Sequence, residues 1–426
     1  MISDHRMMVT NVIIRCLYCY KIRRKFVEKK SKDHILWYKI LYSLMIMLLY
    51  MIGRNIPLYG VDTAAYMDLD INAQSMIIQV ISGDMKNCSL FILGLWPYML
   101  ASMLVIVVVA VQSLDKTNKV SPKKINQWTM VITMVIAVVM AVQRVQNYIY
   151  TVDEQKLPLA KLIVFTELIT GMLIVIYLGD RATKYGIGGK TSVFLVNIVN
   201  GMLTMVAGQT LRQLLLPAVI AVLEIAVMIV LETTEKRIAV QRVSIHNIYA
   251  DKNYIAYKLN PVGVTPMMFA SAVFLLPQMI CNLLYKWYPD KTTFQWMEKN
   301  MQMTSPLGIC VYIAIICILT VALSFIMLSP GKMADDLLRA GDSVLGTYAG
   351  KPTKKYLQGC VLHFAIYSSV VIGICMGIPL FLQFKGYIDP SLAMFPCSVM
   401  MSTGIWISFY REAEVYRNMD RYAPFI

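Results

Sequence analysis

Ten separated runs of about 20 apolar residues constrain this chain more than any other feature. A helix needs about 20 mostly apolar residues to cross a bilayer. The runs fall at 35–53, 89–113, 127–147, 158–179, 191–207, 210–231, 262–284, 306–329, 359–383 and 388–410. Soluble domains are about half apolar and a quarter charged; this chain of 426 residues is 58% hydrophobic and 15% charged. The expected fold class is an all-α polytopic membrane protein with ten transmembrane helices. Segment 63–85 is the exception, an apolar stretch broken by Asp68, Asp70, Asn72, Gly83 and Asp84. Lipid satisfies no polar group, so at membrane depth this segment needs protein or water around it.

The basic residues orient the spans. With the N-terminus inside, 29 of the 40 Lys and Arg fall on cytoplasmic segments and 7 on outer ones. The positive-inside rule therefore puts both termini in the cytoplasm. The same bias explains most of the net charge of +15 without nucleic acid. The run KIRRKFVEKKSK (21–32) is expected to lie against anionic lipid headgroups. The first apolar run is too long for the core of a signal peptide and lacks a small-residue cleavage site, so it is expected to stay in the mature protein.

Enzymatic signals are weak. YGIGGKTS (185–192) ends like a phosphate-binding loop, but Lys184 stands where G-x-x-x-x-G-K-[ST] needs its first glycine, and a membrane span precedes it where a strand should. It reads as a tight cytoplasmic turn between spans four and five. Cys16 and Cys19 form one C-x-x-C without a second pair or a suitably spaced histidine, so no metal or cofactor is expected.

That turn, within GDRATKYGIGGKTS (179–192), resembles the fourth-to-fifth-helix turn of the SecY family, the protein-conducting channel of the general secretion pathway. Further stretches follow in the family's order. GRNIPLYGVD (53–62) resembles its R-x-G-x-x-I-P-x-P-G-I-D run, and LFILGLWPYMLASM (90–103) resembles its helix 2b. EKRIAVQ (235–241) and YKLNPVGVTPMMFAS (257–271) resemble the approach to helix seven. SPGKMADDLLRAGDSVLG (329–346) and TKKYL (353–357) resemble the loop between helices eight and nine.

The resemblance implies two inverted five-helix halves around an hourglass pore: a basic segment 1–34, a first half 35–208, a second half 209–410 and a cytoplasmic tail 411–426. It makes 63–85 a re-entrant plug helix. It puts Met99, Met103, Thr191, Leu195, Met268 and Met401 on the pore ring, mostly isoleucine in the family. Methionine here is either an adaptable gasket or drift in a chain with 31 methionines. Pro97, Asn260, Pro261 and Pro266 fall on the lateral gate through which a signal sequence leaves the pore. Asn260 and Pro261 are expected to begin helix seven, and Pro266 to bend it.

Two departures narrow the resemblance. The loop after helix six is short and weakly basic, with Lys236, Arg237 and Arg242 as its candidate docking cations. Tyr348 stands in VLGTYAGKP, where the family carries the arginine that engages the SecA motor. A neutral ring cannot make a guanidinium's contacts. Lys351, Lys354 and Lys355 either compensate or form a plain solvated loop.

The best resemblance is then to the SecY paralogue of the accessory Sec system of Gram-positive bacteria. It implies a passive pore in the bacterial cytoplasmic membrane that exports large serine-rich glycosylated adhesins. The implied partners are a SecA-type ATPase, small SecE- and SecG-like subunits and accessory secretion proteins. A housekeeping SecY is the alternative.

Glu167 and Glu224 lie inside spans, where carboxylates are costly and usually functional. They are read as partners for a small subunit's cation, as groups facing protein-lined water, or as a proton relay. With them as coupling groups, a secondary transporter of a small solute is the alternative from another class. An apolar pore centre argues against it.

Overall fold

The computed structural model describes residues 35–62, 88–114, 121–242, 254–271, 273, 274, 296, 300 and 305–422. The basic segment 1–34, the candidate plug at 63–85 and residues 275–284 of the seventh expected span lie outside the described residues.

Each long apolar run is mostly helical where it is described, with non-helical starts at 89–95, 262–264 and 388–394. The helices are α1 (Ile35–Arg54), α2 (Trp96–Leu114), α3 (Pro122–Asn147), α4 (Leu157–Tyr185), α5 (Lys190–Val206), α6 (Leu211–Thr233), α7 (from 265), α8 (Pro306–Leu328), α9 (Pro330–Ala340), α10 (Lys351–Phe384) and α11 (Phe395–Tyr422). Among the described residues, six helical stretches are long and apolar enough to cross a membrane, and two shorter apolar helices fall within α2 and α5. Helix starts follow local chemistry. Ser121 caps α3 ahead of Pro122, Ser305 caps α8 ahead of Pro306, and Thr210 with Gln213 forms a capping box on α6.

Three expected boundaries shift. The second span begins as turns over 90–95, and its helix starts only at Trp96. Helix α10 begins at Lys351, eight residues before the expected span, and α11 runs from Phe395 well into the expected tail. Polar helix ends continue beyond the apolar run because nothing outside the bilayer stops them.

The all-α expectation needs a correction. Strands β1 (Glu235–Arg242), β2 (Tyr254–Lys258) and β3 (Asp342–Val344) form an antiparallel sheet in the order β2-β1-β3. Ile238 pairs with Ile255 and Val240 with Val344. Ile238 and Val240 are both buried, two residues apart as a strand requires. Ile238 and Val344 join Tyr257, Ala334, Leu357 and Val361 in a second small core under α9 and the start of α10. The period-2 signal is short and lies between spans, so hydropathy alone passes over it.

The helices pack most extensively as α8 on α10 and α6 on α11, and α11 also packs on α1 and α5. One buried apolar cluster runs through both groups of helices, from Ile46 on α1 to Ile405 on α11. Lipid tails are as apolar as leucine, so close packing and interhelical hydrogen bonds hold such helices together. Two glycines show the closeness. A Cβ at Gly171 of α4 would lie 2.1 Å from the Leu90 carbonyl oxygen, and one at Gly404 of α11 would lie 2.0 Å from Val264 Cγ2.

Gly171→Ala therefore drives a methyl group into backbone that has no room to yield. The expected cost is about 1–3 kcal/mol, seen as a lower unfolding midpoint of the detergent-purified protein. A wild-type midpoint would mean that the 90–95 turns do not press on α4.

Candidate functional site

The six ring residues come from four helices. Met99 and Met103 are on α2, Thr191 and Leu195 on α5, Met268 on α7 and Met401 on α11. Met99, Leu195, Met268 and Met401 are buried members of the same apolar cluster, and Met103 packs against it. Thr191 is half-buried, its hydroxyl donating to the Gly188 carbonyl. Five of the six positions are thus apolar side chains in or against the main buried cluster.

The gate residues divide. Pro97 is buried at the second position of α2. Residues 259–264 are bends and turns, and α7 starts at 265. Asn260 and Pro261 therefore precede the helix instead of beginning it. Pro266 lies in the first turn, where a missing N–H breaks no helical bond, so the expected bend does not arise there. The start of α7 is tied to α8 instead: the Ser271 and Tyr312 hydroxyls lie 3.1 Å apart, and Phe274 packs edge-on to Tyr312.

Asn260 belongs to a polar knot that sequence reasoning missed. Its Nδ2 donates to Glu232 Oε1 at 3.2 Å and to the Gly263 carbonyl at 3.0 Å. Glu232, at the end of α6, is buried, and Lys258 Nζ lies 3.9 Å from its Oε2. Arg411 of α11 donates to the Glu232 carbonyl and faces Glu235 at 3.8 Å. Burial pushes the Lys258 ammonium below its ordinary value, against the opposing pull of Glu232. Three chain segments thus meet on one acid. Its only sequence signal is a carboxylate closing an apolar run, which reads equally as a solvated helix end.

The candidate docking residues lie on the sheet side. Lys236 and Arg237 are exposed on β1, where Arg237 stacks 4.7 Å from the Tyr254 ring and Lys236 lies 5.7 Å from the Phe364 ring. Arg242 pairs with Asp342 in the ladder. Lys351, Lys354 and Lys355 lie on the first turns of α10, on a helix rather than in the expected loop. Tyr348 is 88% exposed, and its carbonyl accepts from the Thr353 hydroxyl at 2.8 Å. Beside them burial pushes the Tyr257 phenol up to about 12, and it donates to Met333 Sδ at 3.0 Å.

The YGIGGKTS turn is committed to packing. Ser43 of α1 bonds both the N–H and the carbonyl of Ile187, and Glu412 of α11 accepts from Gly188 N–H at 2.8 Å. Gly188 has φ +78°, and a Cβ there would strike the Phe409 ring. Protein groups hold the amides that a phosphate would need. Of the two intramembrane carboxylates, Glu167 accepts from Tyr59 N–H at 3.1 Å. Glu224 is buried on α6 with neither oxygen hydrogen-bonded. Among the described residues, no group of three or more His, Cys, Asp or Glu is placed to hold a metal.

Comparison with known proteins agrees with this arrangement. Residues 89–410 match the sequence model of the SecY family. The chain is 26% identical over 397 residues to the accessory Sec system protein translocase subunit SecY2 of Streptococcus sanguinis, covering 90% of this chain and 96% of that one. It is also 26% identical over 421 residues to the protein translocase subunit SecY of Streptococcus gordonii, covering 91% and 95%. Among solved structures it is similar to a protein-conducting channel, with a TM-score of 0.66, 16% identity and coverage of 90% and 93%. Sec61 in the canine ribosome–channel complex gives a TM-score of 0.61 with the same identity and coverage.

Asn260→Ala leaves Glu232 and the Gly263 carbonyl each short of a donor. The expected cost is about 1–3 kcal/mol, measured as thermal unfolding in detergent against Asn260→Asp as a shape control. Wild-type stability of the alanine variant would remove the knot's role in seating α7.

Proposed function

The chain belongs to the SecY family of protein-conducting channels, and within that family we propose that it is the central pore subunit of an accessory Sec translocase. Members of the family are multi-pass membrane proteins, channels rather than enzymes, that work with SecE- and SecG-type subunits and SecA-type motors. The small-solute transporter alternative gives way to this assignment. In our reading the cargo is unfolded secretory protein, chiefly large serine-rich glycosylated adhesins, driven by a separate accessory SecA-type ATPase. Both termini are cytoplasmic, and the halves 35–208 and 209–410 move against each other.

One observation carries the accessory reading: Tyr348, 88% exposed, where the family's motor-engaging arginine is expected. A fully presented ring suits an apolar pocket on a motor, with Lys351, Lys354 and Lys355 beside it for acidic groups. Overall identity does not separate the two readings, since accessory and housekeeping relatives both reach 26%. Tyr348→Ala is expected to weaken binding of the accessory motor by about 2 kcal/mol, the size of an interface hot spot, measured with purified proteins. Unchanged binding would return the loop to a solvated face.

Mechanistically, the apolar ring keeps water and ions out until a chain enters. A hydrophobic constriction gates by dewetting, and unbranched methionine adapts to varied side chains. Pro97, Asn260, Pro261 and Pro266 line the lateral gate, with 63–85 as the plug. Leu195→Asn and Met268→Asn should each raise resting ion conductance in planar bilayers above wild type. A tight seal in both variants would place the constriction elsewhere.

The functional test is conditional deletion in the native bacterium with the surface proteome followed. Normal growth with loss of a few large glycosylated surface proteins supports the accessory channel. Collapse of general secretion would make it the housekeeping channel and overturn the reading of Tyr348.

A further inference from the structure

Helices α1 and α4 present an aromatic and cationic ladder that neither the ring, the gate nor the docking loops use. It begins with Tyr38 and Tyr42 on α1, whose rings are 6.2 Å apart. Tyr42 meets Tyr185 of α4 edge-on at 5.6 Å. Arg181 then lies between two rings of its own helix, 4.9 Å from Tyr177 and 5.8 Å from Tyr185. Lys184 adds a second cation 5.2 Å from Tyr185. The carboxylate beside Arg181 in sequence, Asp180, is already paired with Lys190 at 2.8 Å. Two cations on a shared aromatic surface are thus left without an acid among the described residues.

The depth of the ladder is set by helix length. At 1.5 Å per residue, the 29 residues of α4 span about 43 Å, against about 30 Å of hydrocarbon. The last turns of α4 therefore stand at headgroup level. The exposed residues Leu162, Leu173, Ile174 and Tyr177 follow one another up α4, and Arg181 comes one turn beyond Tyr177. On α1, Trp37, Tyr38 and Leu41 are exposed at the same end. Aromatic rings favour the membrane interface, and basic pockets between transmembrane helices bind anionic lipid headgroups.

We propose that Arg181 and Lys184, framed by Tyr38, Tyr42, Tyr177 and Tyr185, form a binding site for the phosphodiester headgroup of an anionic phospholipid at the α1–α4 edge. The planar guanidinium takes two phosphate oxygens in parallel, the tyrosine hydroxyls offer further donors, and the acyl chains run down the exposed apolar residues of α4. The site is separate from the unspecific attraction expected of segment 21–32. Only the identity of the leaflet rests on the orientation proposed above; the contacts themselves do not.

The test is native mass spectrometry of the full chain in detergent, titrated with dioleoyl phosphatidylglycerol or dioleoyl phosphatidylcholine. The wild type is expected to retain the anionic lipid in preference to the zwitterionic one. Arg181→Gln should weaken that retention about fivefold, the worth of one basic residue at a membrane surface. Arg181→Lys, which keeps the charge but loses the planar fork, should fall between them, and remains informative if the glutamine variant is unstable. Arg339→Gln, an exposed basic change on α9, should behave as wild type. Equal retention of both lipids, or an unchanged Arg181→Gln, overturns the site. So does loss of a co-purifying small membrane subunit from Arg181→Gln with its lipid count intact, which would make the ladder a protein interface.

Discussion

Every backbone polar group at membrane depth must find a partner within the protein, and the rest of this structure depends on that constraint. Helices meet it internally. The chain departs from helix at Asn55–Asp62 and again at 88–95, and there the two departures satisfy each other. Leu58 N–H donates to the Cys88 carbonyl and Leu90 N–H to the Ile56 carbonyl, both at 3.0 Å. Pro57 and Ser89 form an isolated bridge, as do Val61 and Tyr150. Phe91, Ile92, Leu93 and Leu95 are buried around this pairing. An irregular stretch inside a membrane protein is tolerated only under such cover, and the cover here is what starts α2 at Trp96 with Met99 in the apolar cluster.

The second organising feature is the end opposite to those turns. Glu232, Asn260, Lys258 and Arg411 draw the ends of α6 and β2 and the middle of α11 to the point where α7 begins. A buried carboxylate with one partner removed is costly, so the joint resists loosening one segment at a time. Its position links the candidate gate helix to the sheet that carries Lys236 and Arg237. The same end holds the YGIGGKTS turn, fixed by Ser43, Glu412 and Phe409. The loop that looks most like an active site in the sequence is thus built into the scaffold.

The apolar character of the ring and the polar character of the knot divide the labour by dielectric. Among Met99, Leu195, Met268 and Met401 the surroundings are apolar, and dispersion holds such side chains without specific geometry. At the end near the headgroups, charge-assisted contacts set position, because water and lipid phosphate are close enough to stabilise exposed charge. Glu224 fits neither group: it is buried on α6 without a hydrogen bond. Its burial within the chain leaves it no surface from which to meet a subunit's cation. Glu167, half-buried and bonded to Tyr59, is the one of the pair that reaches the edge.

By itself the sequence determined that the chain spans a membrane many times, roughly where, and to which family of channels it is similar. Those properties follow from apolar run length, charge placement and short motifs, all of which are local in the chain. Met99, Leu195, Met268 and Met401, expected on a ring through their motifs, are all buried in the main apolar cluster. The structure alone decided the β2-β1-β3 sheet, because its strands are separated by up to about a hundred residues and carry only short alternation. It alone decided that Pro266 enters a helix without bending it, since the effect of proline depends on which carbonyls lie a turn before it. And it alone revealed the Glu232 knot and the Arg181 ladder. A charged residue near the end of an apolar run reads the same whether solvent, another helix or a lipid headgroup meets it, and only packing in three dimensions says which.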